Sequence, residues 1–283
     1  MTALADFVVQ APEVSAQTLA ALAREARTLA IVPLGAGAPV AYRFPGVAES
    51  PELIDTAREA GCDAGFVPED RRLDRVRVVA MDMDSTLITI ECVDEIADMK
   101  GIKPEVAAIT ASAMRGEIDF AESLRRRVAL LAGLPVTVLD QVYEERLRIS
   151  PGATRMLAGF KAAGAITVLV SGGFTFFTER LKARLGLDVA VANTLGVEDG
   201  RLTGRIEGTL VDAQVKANTV RTLKQRLAGK DGLTVALGDG ANDLPMFAEC
   251  DIAIAYRAKP VVRAQATYAL DFCGLDGALN FFR

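Results

Sequence analysis

The chain has 283 residues, half of them hydrophobic and set in short runs broken by charges, and no run approaches the roughly 18 apolar residues of a membrane-spanning helix. Its net charge is −5, and its densest basic cluster, "LRRRV" at 124–128, is too short to form a nucleic-acid surface. There is no histidine, and the four cysteines (Cys62, Cys92, Cys250, Cys273) show neither metal-ligand nor redox spacing. Imidazole metal sites are therefore excluded, and acid–base chemistry falls to carboxylates, lysine, tyrosine or cysteine.

In chain order, "DFVVQA", "TLAIVPL", "VAYRF" and "CDAGFVP" read as strands, with "SAQTLAALAREA" and "SPELIDTAREAG" as amphipathic helices between them. That pattern predicts a small ferredoxin-like α/β domain over residues 1–70. The charged "PEDRRLDR", 68–75, reads as a linker. From Val76 to residue 283 the pattern becomes strand, helix, strand: "VRVVAMD", "AITVLVS", "LTVALGD" and "CDIAIAY" are short, apolar and separated by helices such as "TRMLAGFKAAG" and "AQVKANTVRTLKQRLAG". This predicts a doubly wound parallel sheet covered on both faces, with ligands bound at the carboxyl ends of its strands. Residues 91–149 are helical in period and too long for one crossover, since a whole βαβ unit takes ~30 residues, so they are expected to form a cap. Asp199-Gly200, within 191–208, marks a hairpin.

Polar and small residues close three of the predicted strands: Asp82-Met83-Asp84-Ser85-Thr86, Ser171-Gly172-Gly173, and Gly238-Asp239-Gly240-Ala241-Asn242-Asp243. In a parallel sheet these ends meet along one edge. Clustered carboxylates repel one another, and an all-oxygen donor set favours a hard cation, magnesium above all. The Ser171-Gly172-Gly173 turn is expected to present a hydroxyl and open N–H groups to a phosphate at the start of the next helix, and Lys216 to hold the same phosphate. A nucleophilic carboxylate, a second carboxylate, a cation and a phosphate cradle together describe phosphoryl transfer through an aspartyl phosphate.

"DMDST", "SGG", Lys216 and "GDGAND" resemble the four motifs of the haloacid dehalogenase (HAD-like) superfamily of phosphatases, whose Rossmann-like core carries a cap. Through "DMDSTLITIECVDEIA", "FAESLRRRVALLAGLP", "VSGGF" and "LGDGANDLPMF", the resemblance extends to the phosphoserine phosphatase family over roughly residues 76–280. It implies Asp82 as nucleophile and Asp84 as the acid and base, its pKa raised by burial or by repulsion from Asp82. It further implies magnesium on Asp82, the Asp84 carbonyl and Asp239, supported by Asp243, with Ser171, Gly172, Lys216 and Asn242 on the phosphate. Glu91 would meet the ammonium of O-phospho-L-serine, Arg127 would grip its carboxylate in a two-point fork, and Met114 and Phe120 would close over it. The implied reaction is the last step of serine biosynthesis, in a cytoplasmic enzyme that binds neither nucleic acid nor membrane. Residues 1–70 lie outside the resemblance and are expected to act as a regulatory or homodimerisation unit. Two readings stand beside this one: the same machinery acting on another phosphomonoester or acceptor, and a ligand sensor with a vestigial phosphatase.

Overall fold

The computed structural model describes residues 4–35, 39–229 and 231–283. All but the first residue of β1 (Leu4–Ala11) are buried, because both faces of this strand are covered. Phe7, Val9 and Ala11 enter one apolar core, while Val8 joins a second, and the alternating Asp6 and Gln10 lie buried among polar partners. α1 (Ala16–Glu25), β2 (Val32–Pro33), β3 (Val40–Ala48), α2 (Pro51–Glu59) and β4 (Asp63–Val67) complete this unit. Its antiparallel order, β2-β3-β1-β4, is the expected ferredoxin-like arrangement. Ser15 and Ser50 cap the two helices by accepting from the N–H groups of Thr18 and Leu53. Leu22, Leu53 and Ala57 carry the helices onto Phe7 and Phe44. The strand expected across "TLAIVPL" shrinks to Val32–Pro33: Ile31 and Leu34 pack against the cores, but Leu29 is fully exposed and Val32 is exposed too, so the stretch does not alternate as a longer strand would.

β5 (Val76–Met81) opens the larger sheet, and the cap follows it as α3 (Cys92–Lys100), α4 (Lys103–Met114), α5 (Phe120–Ala129) and α6 (Thr137–Gln141). The chain then runs through α7 (Ala153–Ala162), β6 (Ile166–Phe174), α8 (Thr175–Leu185), β7 (Val189–Glu198), β8 (Arg201–Glu207) and α9 (Ala213–Leu227). It ends with β9 (Leu233–Gly238), α10 (Leu244–Ala248), β10 (Ile252–Tyr256), α11 (Pro260–Arg263) and β11 (Tyr268–Leu270). The strand order is β11-β10-β9-β5-β6-β7-β8. Every pairing is parallel except the β7–β8 hairpin, whose Asp199 and Gly200 both take the left-handed conformation (φ 50° and 72°) that tight hairpins need. Val79 and Met81 point into one core and Val78 and Ala80 into the other, so β5 is buried on both faces from Val78 on, as the apolar run that follows Arg77 requires. β5 lies between β6 and β9, where the winding direction reverses and the strand ends part. Two features went unanticipated: β7, expected only as a hairpin arm from residue 191, starts at Val189 and pairs in parallel with β6, and a three-residue edge strand, β11, pairs with β10.

The cap leaves and rejoins the core through a narrow neck. Thr89 N–H donates to Arg148 O (3.0 Å), Ser150 N–H donates to Leu87 O (3.0 Å), and Ile88 bridges Ile149. The segment expected to link the two sheets is tied down as well: Leu73 N–H donates to Arg283 O, and Arg283 N–H to Arg71 O.

The first sheet is docked onto the end of the chain by polar contacts. The buried Asp63 carboxylate accepts from the N–H groups of Asp271 (2.7 Å) and Cys273 (2.8 Å) and is shared with that of Phe272 (3.2 Å). Gln10 donates to Gly277 O and accepts from Asn280, and the Tyr268 hydroxyl donates to Phe66 O. A Cβ at Gly65 would lie 2.5 Å from the Tyr268 ring, so only glycine lets β4 approach β11 there. Replacing Asp63 with alanine strands three amides away from water and is expected to lower unfolding stability by about 2–4 kcal/mol, measured by urea denaturation. A loss below about 0.5 kcal/mol would mean that water replaces the carboxylate and that this contact does not hold the units together.

Candidate active site

β5 delivers Asp82 to the sheet edge, where its N–H still donates to Leu237 O of β9 (3.0 Å). The Asp82 Oδ1 accepts from Met83 N–H (2.7 Å) and from the Lys216 ammonium (2.8 Å), so the carboxylate cannot turn freely. Lys216, on α9, is 1% exposed and also donates to Asp243 Oδ1 (2.9 Å). Burial alone would lower its pKa, but Asp243 and Asp82 outweigh that and hold the ammonium above its ordinary value.

After Asp82 the chain turns sharply, with Asp84 extended and Ser85 left-handed (φ 56°). Asp84 Oδ1 accepts from Cys92 N–H (3.0 Å), and the Ser85 hydroxyl donates to Glu91 (2.5 Å). Burial is the main cause that pushes Asp84 up to about 8, with Glu91 next and Asp82 a smaller contributor. Repulsion from Asp82 thus contributes but is not the leading cause. The walls of the site likewise raise the Glu91 carboxyl.

Ser171-Gly172-Gly173 is not a turn. β6 runs on to Phe174, and its pairing with β7 slips between Val170 and Phe174, which swings these three residues toward Asp84. The buried Ser171 hydroxyl accepts from Gly173 N–H (2.8 Å). A Cβ at Gly173 would lie 2.7 Å from Asp84 Oδ2, and one at Gly172 would lie 2.9 Å from the Phe120 ring. The glycines are therefore required by close approach, and α8 starts only at Thr175. Asn193 of β7, wholly buried, donates to Gly172 O (2.8 Å) and accepts from Val211 N–H (2.7 Å). It fixes this bulge and was not anticipated, because a polar residue within a strand resembles any outward position.

Directly after β9 comes Asp239, which accepts from the Thr86 hydroxyl (3.1 Å). In the following turn Asp243 accepts from Gly240 N–H (3.1 Å). Burial, then Asp82 and Asp243, raise Asp239 to about 7; burial and Asp82 raise Asp243 to about 6, against the pull of Lys216. Asp82, Asp239 and Asp243 each offer a carboxylate oxygen within 4.8 Å of the others, an arrangement that could hold a metal ion. An oxygen-only donor set with this excess of negative charge suits a hard divalent cation.

A cavity of about 360 Å³ opens between these strand ends and the cap, and Asp82, Asp84, Glu91, Phe120, Arg127, Gly172, Asp239 and Asn242 all line it. Burial lowers the Arg127 pKa while Asp94, Glu91 and Asp84 favour its charged form. Ser171, Lys216 and Asp243 stand behind the wall as buried supports. Met114 departs from expectation: the last residue of α4, it is 68% exposed and outside the cavity wall, where Thr110, one turn earlier, stands instead. Apolar residues surround α4 on all sides, so periodicity could not indicate which face looks inward. Asp94 and Lys259 also line the cavity and were not singled out from the sequence.

The haloacid dehalogenase-like hydrolase family model matches residues 79–248. A phosphoserine phosphatase of Polaromonas sp. is 50% identical over 219 residues, covering 76% of this chain and 93% of its own length. The unliganded crystal structure of a probable phosphoserine phosphatase from Vibrio cholerae superposes with a TM-score of 0.83 at 36% identity, covering 98% of this chain and 86% of that one. A substrate-bound phosphoserine phosphatase complex superposes at 0.67 and 36% identity over 74% of this chain and 99% of that one. The chain belongs to the haloacid dehalogenase-like hydrolases and, within them, to the phosphoserine phosphatase family.

Proposed function

We propose that this chain is a magnesium-dependent phosphoserine phosphatase that releases L-serine and phosphate from O-phospho-L-serine, the last step of serine biosynthesis. One observation carries the reading. A single cavity holds both a phosphoryl-transfer set (Asp82, Asp84, Asp239, Asn242) and, on its cap side, the oppositely charged pair Glu91 and Arg127, which complements an amino-acid head group. The relatives named phosphoserine phosphatase support the same reading.

In the proposed reaction, an Asp82 oxygen attacks phosphorus and the bond to the serine oxygen breaks, with Asp84 giving that oxygen its proton. An Asp84 pKa near 8 supports this, because the group is then largely protonated at neutral pH. Asp84, now ionised, takes a proton from water; the hydroxide attacks the phosphorus of the aspartyl phosphate, and phosphate departs with Asp82 regenerated. Asp82, Asp239 and the Asp84 carbonyl would hold magnesium, with Asp243 in support, and the cation would offset negative charge on carboxylates and phosphate. Lys216 keeps Asp82 oriented, Gly172 and Asn242 of the cavity wall meet the phosphate, and Ser171 supports Gly173 from behind that wall. The cap excludes bulk water from the intermediate, Phe120 packing against Gly172 at the joint.

Residues 1–70 are proposed to be an accessory regulatory or dimerisation unit, and 76–283 the phosphatase with its cap over 91–149. Among the described residues, no helix is long and apolar enough to cross a membrane; a cytoplasmic location is part of the proposal.

Phosphate release from O-phospho-L-serine, with and without magnesium, tests the function directly. Asp82→Asn is expected to reduce metal-dependent turnover at least about a thousandfold; a variant retaining a tenth of the activity would rule out Asp82 as nucleophile. Arg127→Ala is expected to raise KM for phosphoserine about 10- to 100-fold, the worth of a charged hydrogen-bonded pair, while sparing an aryl phosphate that has no carboxylate. Equal losses on both substrates would sink the assignment of the head-group pocket.

A further inference from the structure

Among the described residues, two cations line the cavity: Arg127 on the cap and Lys259 on the core. Lys216 is nearby but committed, 1% exposed and held between Asp82 and Asp243 at 2.8 and 2.9 Å. Arg127 shares the cap wall with Glu91 and Asp94, at the end suited to a head group. A phosphomonoester dianion entering between Asp82, Asp84 and Asp239 meets carboxylates, and Lys259 is the accessible positive charge on that side.

The backbone of Lys259 is anchored while its side chain is left free. Its N–H donates to Asp239 O (3.3 Å), and its carbonyl accepts from the N–H groups of Val262 (2.9 Å) and Arg263 (3.0 Å). Pro260 confines the preceding residue to extended backbone, and Lys259 lies there at φ −59°, ψ 150°. Ala258 and Val262 on either side are buried. The ammonium itself makes no hydrogen bond or ion pair among the described residues. An ordinary solvated lysine needs no such anchoring, nor a place beside the carboxylate that follows β9.

We infer that Lys259 is a substrate-binding residue for the phosphate group: its ammonium draws the phosphomonoester dianion into the cavity and holds the phosphoryl oxygens from the core side. The inference rests on the proposed reading of the cavity as a phosphomonoester site, but it does not depend on serine being the leaving group.

The test compares wild type, Lys259→Met and Lys259→Arg in magnesium buffer. Inorganic phosphate affinity is measured by calorimetry, and kcat and KM are measured for phosphoserine and an aryl phosphate at low and high salt. Lys259→Met is expected to weaken inorganic phosphate and raise KM for both substrates about 10- to 100-fold, with kcat changed far less and the salt dependence of kcat/KM flattened. Lys259→Arg is expected to retain most of the affinity. Unchanged phosphate affinity in Lys259→Met, a loss confined to kcat, or a wild type that binds no phosphate would each overturn the inference. Should Lys259→Met fail to fold, Lys259→Gln takes its place, read by the same phosphate affinity. Aryl phosphate turnover without phosphoserine turnover would sink the substrate assignment alone, while the phosphate affinities would still decide the role of Lys259.

Discussion

A buried lysine between two carboxylates underlies the whole arrangement. Lys216 comes from α9, Asp82 from the end of β5, and Asp243 from the turn after β9, and none of the three is more than 5% exposed. Removing three charges from water is tolerable only because the ammonium is shared between the two carboxylates, and taking Lys216 away would leave two like charges buried side by side. The triad sets the distance between the central strand and its neighbour's turn, and it fixes the orientation of the Asp82 carboxylate. It also leaves a net negative charge at the strand ends. Asp239 and Asp84 lie beside it, and burial first, with this crowding of carboxylates second, raises Asp239, Asp243 and Asp84.

The remaining machinery is positioned around that triad by close backbone approach. The slipped pairing of β6 and β7 brings two glycines against Asp84 and Phe120, distances that no side chain would allow. Asn193 holds the slip in place by bonding backbone groups on both sides of it. On the far side, Lys259 is tied to Asp239 through its N–H, so the loop after β10 is joined to the carboxyl end of β9. The cap is continuous with this base through its neck at residues 87–89 and 148–150, and it is tied to the β7–β8 hairpin as well, where Gly133 N–H donates to Leu202 O, Leu202 N–H to Leu134 O and Val136 N–H to Gly200 O.

Much of this was legible in the amino-acid order, and the exceptions share a cause. Asp82, Asp84, Asp239 and Asn242 follow apolar strands directly, and the ends of parallel strands converge, so local pattern sufficed to bring them together. Asp199-Gly200 announced its hairpin because its left-handed turn is a property of two adjacent residues. Asn193, Lys259 and the inward face of α4 were not legible, since each depends on which distant segment lies opposite. The docking of the first sheet was equally hidden: Asp63 bonds residues more than 200 positions away, and Gln10 reaches Gly277. Ser171-Gly172-Gly173 was correctly placed at the strand ends but wrongly read as a turn, because extended and turned glycine pairs have the same composition.

By itself, then, the sequence determined the fold class and which polar residues gather at the strand ends. These follow from periodicity and from residue types that only a few local geometries accommodate. The tertiary structure alone decided which charges face the cavity and which stand behind it, why Asp84 is raised, and which cap residues reach the site. Those are matters of burial and of distance between segments remote in the chain, and neither quantity exists until the sheets and cap have packed.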